Sequence, residues 1–291
     1  MSETRLDRRT HAYREDLAAE SLKGAVEAPA YARGQLRQVM DAAAALRRAP
    51  RHDAPLDTEL LCGERVTVYD ENEGWAWVQS ERDGYVGYLS SGSLVAPSAE
   101  PTHRVSALRT YRYPAPDIKL PPLGLLHLNS RVTLTGRQGR FAQLADGSFV
   151  IESHLAGIAT AEPDFVAVAE RFLAAPYLWG GRTSIGLDCS ALVQLALQAA
   201  GVPCPRDSDM QEQALGDPLP GPPEVAALRR GDLIFWSGHV GIMRDGETLL
   251  HANAHHMAVV GEPLREAMDR IAGEGGPVSS IRRLTSEATG S

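Results

Sequence analysis

The chain has 291 residues, 43% of them hydrophobic, enough to bury a sizeable core and more than one ordinary domain needs, so two or three domains are expected. Its formal net charge is −8, and it carries no Lys/Arg-rich run or basic stripe with aromatics, which argues against nucleic acid as a partner. The opening MSETRLDRRTHAYREDLAAE lacks the apolar core of a secretory signal, and no run approaches the roughly 20 apolar residues of a membrane helix. The expectation is a soluble, cytoplasmic protein with no membrane partner. Oligomeric state is not legible.

Residues 1–40 form an N-terminal segment, with a possible helix near 13–23 and a β-like or loop stretch over 24–40, expected to pack on the small β domain next to it. From 41 the texture changes. RVTVYD (65–70), GWAWVQ (74–79) and GYVGYL (84–89) are short apolar runs divided by Asp, Asn, Glu and Gly, the spacing of a small antiparallel barrel or sandwich. The pattern recurs. ALRRAPRHDAP (45–55) is similar to SALRTYRYPAP (106–116), RVTV (65–68) to RVTL (131–134), and DGYVGYL (83–89) to DGSFVIE (146–152). A period of roughly 60 residues means two copies of one small β unit, at 41–97 and 98–158. Trp75, Trp77, Tyr85 and Tyr88 are read as packing such a unit.

From about residue 160 the period becomes helical. Phe165, Val168, Ala169, Phe172 and Leu173 share a face, with Asp164 placed as N-cap and Pro176 as a stop. DCSALVQLALQAAG (188–201) predicts a second helix that ends at Gly201. DPLPGPPEV (217–225) reads as a connector. GDLIFW (231–236), HVGIMR (239–244) and TLLHAN (248–253) then predict successive strands divided by short turns. A helix carrying a cysteine, followed by an antiparallel sheet, makes residues 159–291 an α+β domain.

Three cysteines, odd in number and far apart, argue against a disulfide framework. Cys62 and Cys204 are read as small buried hydrophobes. Cys189 differs because it opens a helix, where free N–H groups and a partial positive charge favour a thiolate and can hold an oxyanion. His239 begins a strand just after a Ser-Gly turn, and His251 ends the next one. If those strands pair, one imidazole accepts the cysteine proton and the other holds its orientation. His255 and His256 have no carboxylate or cysteine at ligand spacing, so no zinc is expected.

PYLWGG (176–181), LDCSALVQLAL (187–197), RGDLIFWSGHVGIM (230–243) and LLHAN (249–253), in this order, resemble the NlpC family of papain-like cysteine peptidases that cut bacterial cell-wall peptides. One departure is Ala191, where glycine is common. The resemblance implies an α+β papain-like peptidase domain preceded by two small bacterial SH3-like barrels. It makes Cys189 the nucleophile, His239 the base and His251 the third polar residue, with Tyr177 near the oxyanion. Paired barrels ahead of this domain resemble a subgroup that cuts murein tripeptides or tetrapeptides after γ-linked D-glutamate and requires a free N-terminal L-alanine. Asp188, Ser190 and Asp207 then correspond to amine-binding residues, and Glu73 and Tyr85 of the first barrel to groups closing the cleft. Asp188 also reads as a plain helix cap. No cofactor is implied. The reaction expected is cleavage before the diamino acid in cell-wall peptide recycling. The alternatives are a hydrolase of the intact polymer, an inert fragment-binding protein, or an acyltransferase or amidase on the same scaffold.

Overall fold

A computed structural model of the chain describes residues 6–97, 99–220 and 227–284. Residues 221–226, in and just after the connector after Pro218, lie outside that range. The chain divides into two units, one of residues 1–105 and 109–158, the other of residues 106–108 and 159–291.

The first unit is β throughout. A seven-stranded sheet has the order Leu56–Leu61, Ala43–Arg47, Val86–Ser90, Trp75–Ser80, Arg65–Asn72, Gln35–Val39 and Leu94–Val95. Alternation drives it: in Arg65–Asn72 every second residue at the start, Val66 and Val68, is buried. These meet Leu46, Leu60, Val78, Tyr85 and Leu89 in one core. Gln35–Val39 is part of this sheet, so the β unit begins before residue 41. The expected helix near 13–23 does not form. Leu17–Ala19 is a strand paired in parallel with Ala30–Ala32, and a 3₁₀ turn follows at Glu20–Leu22. Non-local pairing overrides the local helical spacing there.

The same pairing pattern recurs over 103–157. Gln35–Val39 is flanked by Arg65–Asn72 and Leu94–Val95, and His103–Val105 by Arg131–Val132 and Leu155–Gly157. Each has a hairpin after the first strand, Ala43–Arg47 with Leu56–Leu61 and Arg109–Arg112 with Gly124–His127. Each has a 3₁₀ turn just before its last strand, at Ser91–Ser93 and Glu152–His154. The second copy has its own core of Val105, Leu126, Val132, Ala142, Leu144 and Val150. The copies join through backbone: Arg131 N–H donates to the Cys62 carbonyl at 2.9 Å.

Among its described residues the second unit holds four helices and a six-stranded sheet. The helices are α1 (Phe165–Glu170), α2 (Cys189–Ala199), α3 (Ser208–Ala214) and α4 (Leu264–Gly275). Asp164 caps α1, as its spacing predicts, by accepting from the amides of Val166 and Ala167. The sheet order is Asp217–Pro218, Ser280–Arg283, Leu233–Trp236, His239–Met243, Thr248–Asn253 and Ala258–Pro263. The expected strands over 231–253 all form and are almost wholly buried. The buried helix α2 packs against His239–Met243 and Thr248–Asn253. That contact brings the cysteine-bearing helix to the histidine-bearing strands. No helix among the described residues is long and apolar enough to cross a membrane.

Candidate active site

Asp188 leaves helical geometry just before α2 and accepts from the Ala191 amide at 2.8 Å, which starts the helix at Cys189. The reading of Asp188 as a cap is correct, and it does more. Arg206 donates to both its oxygens, at 3.0 and 2.7 Å, and the Gly180 amide adds a bond at 2.9 Å. Ser190 Oγ donates to Asp188 at 3.1 Å and accepts from Arg206 at 2.7 Å. Arg206 is 1% exposed, so this ion pair is buried and fully hydrogen-bonded. Gln211 of α3 donates to the carbonyls of Ser190 and Pro205, tying α3 to the start of α2.

Cys189 is 7% exposed. Burial pushes its thiol up, to about 12, and the charge of Asp188 pushes the same way, while the amides of Val240 and Ser190 and the Arg206 charge pull it down. Desolvation thus opposes the thiolate that a helix N-terminus favours. The Val240 amide directly follows His239, so the strand that carries the histidine also meets the sulfur. Burial likewise lowers His239, to about 3, with His251 and Arg270 adding to it. Burial thus favours the uncharged form of each group, thiol and imidazole. Such a pair acts when the imidazole takes the proton as the sulfur attacks.

The strand register joins the two histidines. Ile242 faces Leu250 and Met243 faces Leu249, which sets His239, Gly241 and His251 on one face of the sheet. Gly241 is the gap between them: a Cβ there would lie 3.2 Å from His251 Cβ and 2.7 Å from Leu249 Cδ1. His239 Nε2 sits 2.8 Å from His251 Nδ1. His251 Nε2 sits 2.6 Å from Glu262 Oε1 and 3.0 Å from Asn253 Nδ2, and Arg270 donates to Glu262. Burial lowers His251, while the Glu262 carboxylate raises it.

Tyr177 forms an isolated bridge to Leu187, beside Asp188 and Cys189, and its amide donates to the Met257 carbonyl. Burial and the nearby Cys189 and Asp188 push its hydroxyl above its ordinary range, so it stays a donor at working pH. Asp207 is half-buried at the start of α3, where its side chain does not cap the helix. Glu73 and Tyr85 belong to the other unit. Glu73 is exposed in a turn at φ +50°, and Tyr85 is a core residue of the seven-stranded sheet. In the second unit the structure therefore gathers Cys189, His239, His251, Tyr177, Asp188 and Ser190. Glu262, Asn253, Arg270, Arg206 and Gln211 are not singled out by sequence alone. Arg206 is the immediate neighbour of Asp207 in CPRDSDMQ (204–211), and that adjacency could have found it. Glu262 carries no local signal, because strand pairing alone brings it to His251.

Residues 174–270 match the NlpC/P60 family, and residues 46–94 match the bacterial dipeptidyl-peptidase Sh3 domain. The chain carries an NlpC/P60 domain. A gamma-D-glutamyl-L-lysine dipeptidyl-peptidase of Bacillus cereus is 26% identical over 228 residues, 70% of this chain and 64% of that protein. The chain thus spans somewhat less than two thirds of that relative's length. The protein of the same name from Bacillus subtilis is 28% identical over 224 residues, 69% of this chain and 73% of the other. A crystal structure of an NlpC/P60 family protein from Bacillus cereus has a TM-score of 0.72 at 22% identity, covering 86% of this chain and 99% of that one. That likeness gives the fold, mixed helix and strand and mostly sheet, and the Sh3 match over 46–94 lies ahead of the NlpC/P60 match in the chain.

Proposed function

We propose that this chain is a cysteine peptidase that hydrolyses the bond between γ-D-glutamate and an L-diamino acid in murein tripeptides or tetrapeptides bearing a free N-terminal L-alanine. One observation carries the reading: a buried cysteine at the start of α2 meets the strand that opens with His239, and His239 is hydrogen-bonded onward to His251. The names of the two Bacillus relatives support the bond type. Cys189 Sγ attacks the γ-carbonyl carbon while its proton passes to His239. The negative oxygen that forms meets the amides at the start of α2 and the Tyr177 hydroxyl. The C–N bond breaks, His239 returns the proton to the departing amine, and water releases the dipeptide from the thioester.

The amine end is part of the same proposal. Asp188, Ser190 and Asp207 form one side of the ammonium pocket. Asp188 reaches that pocket already paired with Arg206. In this proposal the repeat over 98–158 is a second SH3-like barrel, and the reaction belongs to cytoplasmic recycling of wall peptides. Mass spectrometry of L-Ala-γ-D-Glu-meso-diaminopimelate after incubation tests it, with the N-acetylated peptide and Cys189→Ala in parallel. Release of L-Ala-γ-D-Glu from the free peptide alone, and only with Cys189 present, is expected. Equal cleavage of the acetylated peptide would mean polymer as substrate, and no cleavage of either would overturn the substrate reading in favour of a different acyl substrate or a binding protein.

A further inference from the structure

His251 Nε2 has two claimants whose demands conflict. Glu262 Oε1 at 2.6 Å is a carboxylate oxygen, which only accepts, so it requires a proton on Nε2. Asn253 Nδ2 at 3.0 Å only donates, so it requires a bare Nε2. Turning the amide does not resolve the conflict, because Asn253 Oδ1 already accepts from the His256 amide at 2.8 Å. Charge decides between them. A hydrogen bond to an ionised acceptor is about twice as strong as a neutral one. Arg270 donates to the same Glu262 oxygen and holds the carboxylate in its ionised form. A bare imidazole lone pair 2.6 Å from that oxygen would be repelled.

We infer that Glu262 is a positioning residue that fixes the tautomers of both histidines, leaving His239 Nδ1 bare to receive the proton of Cys189. The inference rests on His239 acting as the base. A proton on His251 Nε2 leaves His251 Nδ1 as an acceptor. His239 must then donate to it from Nε2, at 2.8 Å, and only His239 Nδ1 remains without a proton. The opposite choice by Asn253 would run the row backwards and turn an Nδ1–H toward the thiol, with nowhere for the thiol proton to go. Glu262 takes no proton itself. Its charge also stabilises the imidazolium that forms on His239, through one intervening ring. The other charged or titratable groups acting on the pair are Asp188, His256 and Arg270, and of these Arg270 loses its ion-pair partner when Glu262 becomes Leu.

Two measurements test this without any peptide. Long-range ¹H–¹⁵N NMR of Cys189→Ala protein, labelled at histidine nitrogen, should show Nε2–H and bare Nδ1 for both His239 and His251. An Nδ1–H signal from His239 overturns the inference. The second measurement is the rate at which iodoacetamide alkylates Cys189. Glu262→Leu should slow it about 100-fold, the low end of a lost general base, because Asn253 then claims Nε2. Adding Asn253→Ala in that background should restore roughly tenfold, whereas Glu262→Gln, whose amide oxygen still accepts, should lose less than about tenfold. If Asn253→Ala deepens the loss instead, Glu262 is merely structural and the inference fails. If the alkylation pattern holds while no murein peptide is cut, the substrate reading fails and the role of Glu262 stands.

Discussion

Cys62 is half-buried and Cys189 buried, and desolvation pushes both thiols up, to about 11 and about 12. Their surroundings differ in everything else. Cys62 lines a groove of about 210 Å³ within the first unit, with Met40, Val95, Leu126 and Val132 on its walls and Arg112 and Asp146 at its polar end. No imidazole lines that groove among the described residues. Cys189 opens a helix, receives two amides at its sulfur, and meets the strand that begins with His239. Thiol acidity does not separate the two sites, since burial raises both. A base that can take the proton during attack separates them.

The widest gap between the two cysteines should appear in catalysis. Cys189→Ala should lower kcat/KM for the free murein peptide by roughly 10⁴-fold or more, as loss of a nucleophile does in enzymes whose catalytic groups act together. Cys62→Ala should change it less than about twofold, because its small side chain only packs at the edge of a core. A comparable loss in both variants would break the comparison and give the groove a part in the reaction.

A second contrast concerns ion pairs. Arg206 and Asp188 are 1% and 11% exposed, whereas Arg51 and Asp53, paired at 3.2 Å, are 63% and 77% exposed. Arg206→Met leaves the Asp188 carboxylate buried without its guanidinium and should cost about 3–5 kcal/mol in urea unfolding. Arg51→Met should stay within about 0.5 kcal/mol, since water already screens that pair. An Arg206→Met loss below about 1 kcal/mol would mean that the Gly180 and Ala191 amides and the Ser190 hydroxyl satisfy Asp188 by themselves.

Much of the fold is readable in the sequence where short-range rules decide. Asp188, the apolar spacing of 189–199 and Gly201 describe α2 from cap to stop, and the Ser-Gly turn at 237–238 fixes where His239 begins its strand. Reading fails where partners come from far along the chain. Leu17–Ala19 looks helical by local spacing and becomes a strand because Ala30–Ala32 pairs with it. Gln35–Val39 is assigned outside the β unit, yet it borders Arg65–Asn72 inside the sheet. Glu262 is one acid in VVGEP until the pairing of His251 with Val260 puts it two residues along the neighbouring strand.

The smallest contrast tests burial itself, through histidines in the two units. His127 in the first unit is 5% exposed, its Nδ1 has no hydrogen-bond partner, and burial with the charge of Arg109 lowers it to about 4. His239 in the second unit is lowered too, but it is hydrogen-bonded to His251. The sign follows from where protons bind. Between pH 6.5, the ordinary histidine value, and pH 4, the unfolded chain holds a proton on residue 127 and the folded chain does not. Stability from a neutral buried His127 is therefore present above pH 6.5 and is lost as pH falls through that window, by about 2 kcal/mol between pH 7 and pH 5. His127→Leu removes the group that titrates and keeps the bulk, so its unfolding free energy should fall about 2 kcal/mol less than that of the unmodified protein over the same pH step. The remaining histidines, including His239 and His251, are common to both proteins and cancel in the difference. Equal falls would show that the unpaired nitrogen of His127 finds a way to carry its proton in the folded state, and that burial alone does not keep a histidine neutral in this chain.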